Sequence, residues 1–109
     1  MKIRVQENSL RLRLSEAEVT RFGQTGRVEE TILFGPGEEQ TLRYVLAKST
    51  TDSTLSVSFT QNTVTVLVPE VIAWGWVNSD RNGFEDKISN GSEMGLKIVV
   101  EKDLDCFHG

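Results

Sequence analysis

Four basic side chains lie near the start of the chain, at a spacing that could build an anion-binding surface. Lys2 and Arg4 alternate with apolar residues in one run, and Arg11 and Arg13 alternate with leucines in the next. A two-residue turn at positions 7–8 would join the runs as a β-hairpin, with Arg4 facing Arg11 and Lys2 facing Arg13. One face of this hairpin is then apolar. The other presents cationic groups that can bind carboxylates or phosphates through charge-assisted hydrogen bonds.

Cations that face each other across two strands destabilise a hairpin unless anions lie close to them. The first interpretation takes these anions from the chain itself, through Glu29, Glu101 or Asp103, whose strand alternation suits this role. The second takes them from outside, as a small anion, a nucleotide or the phosphates of a nucleic acid. We favour the first interpretation, while the second makes the same four cations the candidate binding residues.

The end of the chain carries its single cysteine and its single histidine beside two carboxylates. Asp103, Asp105, Cys106 and His108 provide oxygen, sulfur and nitrogen donors, a mixed set that is able to bind zinc or nickel. Consecutive residues at a chain terminus rarely enclose an ion, and the sequence shows no second group of ligands. We therefore predict neither a metal site nor a cofactor, and no catalytic residue. We expect 103–109 to form a flexible tail.

Two tryptophans lie in a short helix predicted from Pro69 to about Asn78, because proline favours the first helical position. Trp76 shares a face with Ile72 and is expected in the core. Trp74 is rotated by roughly 200° from Trp76, so both side chains cannot be buried against the same surface. Trp74 therefore either packs on the segment around Phe84 or forms an interface with a partner or a second copy.

The elements that position these side chains follow from capping signals and hydrophobic periodicity. Ser15 to Glu18 has the form of a capping box that begins a helix, and Gly26 is suited to end it. A turn at Gln61-Asn62 would place the apolar residues of a second hairpin on one face. Apolar alternation predicts further strands in five segments: 27–34, 41–47, 55–59, 63–68 and 96–101.

These elements predict an α+β fold, because strands outnumber helices and several are joined by short connections. We expect a mostly antiparallel, curled sheet of about six to seven strands, with two short helices packed on one face. That face would carry Ile3, Val5, Leu10 and Leu12. Positions 79–90 are interpreted as irregular, and no internal repeat is visible. The chain is predicted to be one domain spanning 1–109.

Composition narrows the classes of function. The chain has 109 residues, of which 38% are hydrophobic and 26% are charged, a balance typical of a globular domain. Its net charge of -4 argues against a dedicated nucleic-acid binder. A single cysteine excludes an internal disulfide framework, and the apolar runs are too short to span a membrane. Without a signal-peptide pattern, the expected location is cytoplasmic.

Two motifs resemble those of a family of small uncharacterised bacterial proteins. One runs from Lys2-Ile3-Arg4 through Asn8-Ser9-Leu10-Arg11-Leu12-Arg13-Leu14-Ser15, and the other is Leu96-Lys97-Ile98-Val99-Val100-Glu101-Lys102-Asp103 followed by Cys106. The resemblance covers nearly the whole chain. It implies a cytosolic bacterial domain of unknown function and carries no assigned activity.

Three hypotheses on function follow from these observations. The first is a non-enzymatic binding or interaction module whose partner the sequence does not identify. The second is a small-anion or nucleotide-binding domain, with or without enzymatic activity, that uses Lys2, Arg4, Arg11 and Arg13. The third is a homo-oligomeric structural protein, such as a homodimer, that associates through Trp74.

The Ser15→Ala variant should lower the free energy of unfolding by about 1 kcal/mol, because it removes the side chain that caps the first helix. Urea unfolding of the variant and the parent protein measures this difference. An unchanged midpoint would show that Ser15 does not cap the helix.

Overall fold

Eight strands and two α-helices make up the fold in the computed structural model, which describes residues 1–103. A short 3₁₀ turn at Glu38–Gln40 precedes the fourth strand. The elements are β1 (Lys2–Gln6), β2 (Ser9–Leu14), α1 (Glu16–Thr25), β3 (Arg27–Leu33), β4 (Thr41–Ser49), β5 (Ser56–Thr60), β6 (Thr63–Pro69), α2 (Glu70–Val77), β7 (Gly83–Ile88) and β8 (Leu96–Lys102).

The strands form two sheets of four rather than one. Sheet A has the order β1-β2-β8-β7, and sheet B has the order β3-β4-β6-β5. In each sheet the outer pairs are antiparallel, whereas the central pair, β2 with β8 or β4 with β6, is parallel. The α+β class and the two helices are therefore confirmed, and four of the six strand pairs are antiparallel. The prediction of a single sheet of six to seven strands is wrong, because eight strands form two mixed sheets. Parallel pairing between distant segments leaves no local signal in a sequence.

The chain builds the same ββαββ arrangement twice, from β1 to β4 and again from β5 to β8. Leu12 lies opposite Val100 in sheet A, and Val66 lies opposite Leu46 in sheet B, so equivalent positions are 54 residues apart. Both hairpins turn through two residues with positive φ, 50° and 58° in the first and 51° and 61° in the second. The repeat escaped detection in the sequence because the two halves share few identical residues, and these are scattered along the chain.

Local signals explain where the first helix begins and ends. The Ser15 hydroxyl accepts a hydrogen bond from the Glu18 amide at 3.3 Å, and the Glu18 carboxylate accepts one from the Ser15 amide at 2.9 Å. Gly26 ends the helix in the left-handed region, with φ of 77°. The capping box and the glycine stop predicted from the sequence are both confirmed. Both hairpin registers predicted from the sequence are also confirmed.

One hydrophobic core includes residues from both sheets and both helices. Trp76 is fully buried at its centre, as predicted, between Phe22 of α1 and Phe84 of β7. The Trp76 indole nitrogen donates a hydrogen bond to the Asn82 carbonyl at 2.9 Å, which satisfies its buried polar atom. Positions 83–88, expected to be irregular, form β7, which pairs with β8 along its whole length and buries Phe84 in the core. Val5, expected beneath a helix, is 72% exposed.

The two helices contact each other where α1 has a glycine. A Cβ built on Gly23 would lie 2.8 Å from the Val77 Cγ1 atom of α2, closer than carbon atoms approach in proteins. Gly23 therefore permits the close approach of the helices and is more than a weak point in α1. Within residues 1–103, no helix has the length and apolar character needed to cross a membrane.

Two matched glycine variants test this contact. Gly23→Ala should lower the free energy of unfolding by roughly 1–3 kcal/mol, because the overpacked contact with Val77 outweighs the higher helix propensity of alanine. Gly75→Ala in α2 meets no atom within 4 Å and should raise the free energy of unfolding by roughly 0.5–1 kcal/mol. Urea unfolding measures both changes. Shifts of the same sign would contradict the assigned helix contact.

Candidate binding face

The basic face is the surface of sheet A that points away from the core. Leu12 and Leu14 of β2 are buried, so the alternate residues Arg11 and Arg13 point outward. The hairpin register places Arg4 opposite Arg11 and Lys2 opposite Arg13, as predicted. The neighbouring strands add Lys97 and Glu101 from β8 and Glu85 and Lys87 from β7.

Glu101 neutralises two of the four predicted cations. Its Oε1 atom accepts hydrogen bonds from Arg13 Nε at 2.7 Å and from Arg11 Nη1 at 3.3 Å. The parallel pairing of β2 with β8 creates this contact, since it places Glu101 beside Arg13. The arginine side chains are about two-fifths exposed, so each pair contributes about 0–1 kcal/mol.

Asp103 neutralises a third cation. Its Oδ2 atom lies 2.7 Å from Lys2 Nζ, and its backbone amide donates a hydrogen bond to the Leu14 carbonyl at 2.8 Å. Asp103 is 6% exposed and is anchored to sheet A, although the sequence analysis placed it at the start of a flexible tail. Glu29, the other predicted partner, lies in sheet B and pairs with Arg27 at 2.9 Å.

Two cations of the basic face have no such neutralisation. Among the residues that the structure describes, the side chains of Arg4 and Lys87 form neither an ion pair nor a hydrogen bond. Both are exposed. Lys97 lies 3.7 Å from Glu85, a distance too long for a strong pair. The positive charge of Arg4 is therefore available to bind an external anion. The same holds at the far end of the face, which carries Lys87 and Lys97.

A cleft of about 390 Å³ opens at that far end. The turn between β1 and β2 forms one wall, and Lys87, Lys97 and Met94 contribute to the rest. Asn8 fixes the turn, because its side-chain amide donates a hydrogen bond to the Gly95 carbonyl at 2.6 Å. Sequence reasoning missed Lys87 because β7 has too few apolar residues to be recognised as a strand. It missed Lys97 because the predicted strand 96–101 was not placed beside the first hairpin, a neighbour that the parallel pairing of β2 with β8 gives it.

The amino group of Met1 anchors the strand that carries Lys2 and Arg4. It donates hydrogen bonds to the carboxylates of Glu18 and Glu30, the latter at 2.7 Å. Burial alone lowers the pKa of this amino group, but the hydrogen bonds and charges of the two carboxylates outweigh burial and raise it. Burial raises the pKa of Glu18, but hydrogen bonds from the amino group and from Ser15 reverse the effect and lower it.

Three of the four donors considered for a metal ion, Asp105, Cys106 and His108, lie outside the described residues. Within residues 1–103, no cluster of three or more histidine, cysteine, aspartate or glutamate side chains could hold a metal ion.

Trp74 lies on the exposed side of α2, where its side chain is 70% exposed. It does not pack on Phe84, which lies against Trp76 instead with ring centroids 5.5 Å apart. The interpretation that buries Trp74 on the segment around Phe84 is therefore wrong. Val71, one helical turn away, is 83% exposed, so the two side chains form a small apolar patch.

These features define a small α+β protein made of two interleaved ββαββ units, with a cationic surface on one of its two sheets. The chain belongs to DUF7009, a family of unknown function, whose model matches residues 1–109. The resemblance to an uncharacterised family is thereby confirmed. No curated protein matches the chain in a sequence comparison, and no solved structure matches it either.

The Met1 cluster predicts how stability depends on pH. The amino group has a folded-state pKa above its usual 8.0, so its contribution is complete below pH 8 and is lost as pH rises through the folded-state pKa. Glu18 has a folded-state pKa below 4.5, so its contribution is complete above pH 4.5 and is lost as pH falls through the folded-state pKa. The free energy of unfolding, measured with urea at a series of pH values, should therefore be constant between about pH 4.5 and pH 8 and should fall on either side.

A matched pair of variants checks the cause of this dependence. Glu18→Gln should flatten the acidic flank of the profile, because it removes the titrating carboxyl group. It should weaken the alkaline flank, because Glu30 is then left to raise the pKa of the amino group without Glu18. Glu16→Gln alters an exposed carboxylate in the same helical turn and should leave both flanks intact. Equal profiles for the two variants would contradict the assigned cluster.

Proposed function

We propose that this protein is a non-enzymatic binding module that takes an anionic group on its basic face. A comparison of the two sheets carries the proposal. Where sheet A presents Lys2, Arg4, Arg11 and Arg13, the equivalent positions of sheet B are Ser56, Ser58, Thr65 and Leu67. The same fold is therefore built without cations at these positions, so the stability of the sheet does not require them.

Arg4 is the central residue of the proposed site. It lies directly opposite Arg11, whose charge is shared with Glu101 at 3.3 Å, and it has no anionic partner among the described residues. An exposed guanidinium retains all five N–H donors for a carboxylate or phosphate, which it can bind in a bidentate arrangement. An external anion would also relieve the repulsion between Arg4 and Arg11.

The cleft beside the basic face supports a small ligand. Its volume of about 390 Å³ lies within the usual range for small-molecule sites. Lys87, Lys97 and the apolar side chain of Met94 line it, together with one carboxylate, Glu7. A phosphorylated or carboxylated small molecule could thus direct its charge to the lysines and its apolar part to the methionine. The net charge of the chain is -4, which disfavours an extended polyanion such as a nucleic acid.

Thermal unfolding in the presence of inorganic phosphate, pyrophosphate, ATP and citrate tests this function. We expect a saturable rise in Tm with at least one of them, equivalent to about 2.7 kcal/mol at a hundredfold excess over Kd. The rise should be lost in Arg4→Met or Lys87→Met, and it should fade with added salt. Arg43→Met is the matched control, because Arg43 occupies in sheet B the position of Lys97 in sheet A.

Two results would contradict the proposal. One is the absence of stabilisation by all four anions. The other is a stabilisation that Arg4→Met, Lys87→Met and Arg43→Met all retain, because binding would then take place away from the basic face.

A homo-oligomeric structural protein that associates through Trp74 is the second candidate. The exposed patch of Trp74 and Val71 favours it, since an exposed tryptophan is a common anchor of protein interfaces. Under this function, Trp74→Ser would convert an oligomer into a monomer, as measured by light scattering.

A further inference from the structure

The four edge strands of the two sheets differ in their protection against pairing with other strands. Natural proteins protect such edges with charged side chains, proline or bulges. Strand β5, Ser-Val-Ser-Phe-Thr, has none of these features. The other three edges are all charged: β1 has Lys2 and Arg4, β3 has Arg27, Glu29 and Glu30, and β7 has Glu85, Asp86 and Lys87.

The free side of β5 presents unpaired backbone groups. Thr60 and Thr63 flank the two-residue turn and form a hydrogen-bonded pair, so the pairing alternates along the hairpin. Ser58 and Ser56 therefore direct their amides and carbonyls to β6, whereas Val57 and Phe59 direct theirs away from it. Among the described residues, no backbone hydrogen bond from another segment reaches these four groups. Phe59 is also 67% exposed.

We propose that β5 pairs with β5 of a second copy of this chain, in antiparallel orientation about a twofold axis at Ser58. In this register all five residues of the strand are paired. Val57 exchanges both of its backbone hydrogen bonds with Phe59 of the second copy, and the reverse pair does the same. Sheet B thereby becomes one continuous sheet of eight strands across the two copies.

The side chains of β5 favour a second copy of this chain as the partner that pairs with its free edge. On the core side of the sheet, Val57 faces Phe59 of the other chain, a β-branched and aromatic pair that stabilises antiparallel strands. On the outer side, Ser56 faces Thr60, and Ser58 faces Ser58, so hydroxyl groups meet across the axis. β5 has no charged side chain that would face a like charge on the second copy. On the other three edges, a twofold axis would bring like charges together.

Light scattering over a wide range of protein concentration tests the proposal. The parent protein should have twice the chain mass of 12.2 kDa. Ser58→Lys and Ser58→Glu should each have the mass of one chain, because like charges would meet at the axis. An equal mixture of the two variants should recover the double mass. Thr31→Glu is the matched control for Ser58→Glu on the opposite edge of sheet B, where the new carboxylate faces Arg43, and it should remain dimeric.

A disulfide trap tests the register without added charge. Residues that form a non-hydrogen-bonded pair have Cα atoms about 4.5 Å apart, within the range of a disulfide. In a Cys106→Ser background, Ser58→Cys should therefore form a covalent dimer on oxidation, whereas Thr31→Cys should not.

Several results would overturn the proposal. These are a monomeric parent protein, a dimeric Ser58→Lys variant, a mixture that stays monomeric, or equal crosslinking of the two cysteine variants. Dissociation of the dimer by Trp74→Ser would also overturn it, because the interface would then lie on α2.

Discussion

The parallel pairs at the centres of the two sheets hold the halves of this protein together. The β1–β2 hairpin cannot bury its apolar face alone, since an isolated two-stranded hairpin is marginal in water. It is completed by β8, which comes from the other half of the chain, just as the β5–β6 hairpin is completed by β4. Each helix connects a hairpin in one sheet to a strand in the other. The hydrophobic core is therefore complete only when β8 has paired with β2 and β4 has paired with β6.

Because the ββαββ arrangement occurs twice, equivalent positions of the two halves can be compared. The comparison distinguishes positions that form the core from positions that give each sheet its own surface. Equivalent inner positions, such as Leu12 and Val66 or Phe22 and Trp76, are apolar in both halves because they meet in one core. The outer positions are under no such constraint, and there the two hairpins differ: the β1–β2 hairpin of sheet A carries four cations, whereas the equivalent positions of the β5–β6 hairpin carry hydroxyl groups and a leucine. The binding role that we propose rests on this difference.

The basic face shows how far a site can be predicted from local pattern. The register of the first hairpin follows from alternation and a two-residue turn, so the opposition of Arg4 and Arg11 was predictable. Glu101 was among the carboxylates whose alternation suited it to meet these arginines. Its partner strand, however, is set by parallel pairing across most of the chain length. Lys87 could not be predicted at all, because β7 has only two apolar residues and is held as a strand by its pairing with β8 and the burial of Phe84.

The sequence alone determined the short-range structure: the capping box at Ser15, the helix stop at Gly26, and both hairpins with their registers. These features depend on residues within a few positions of one another, so the local sequence pattern is enough to predict them. The tertiary structure decided the division into two sheets, the parallel central pairs, and the exposure of Trp74. Those outcomes depend on which apolar faces bury each other, and that choice is made between segments that are not neighbours in the chain: β4 and β6 are 20 residues apart, and β2 and β8 are 88 residues apart.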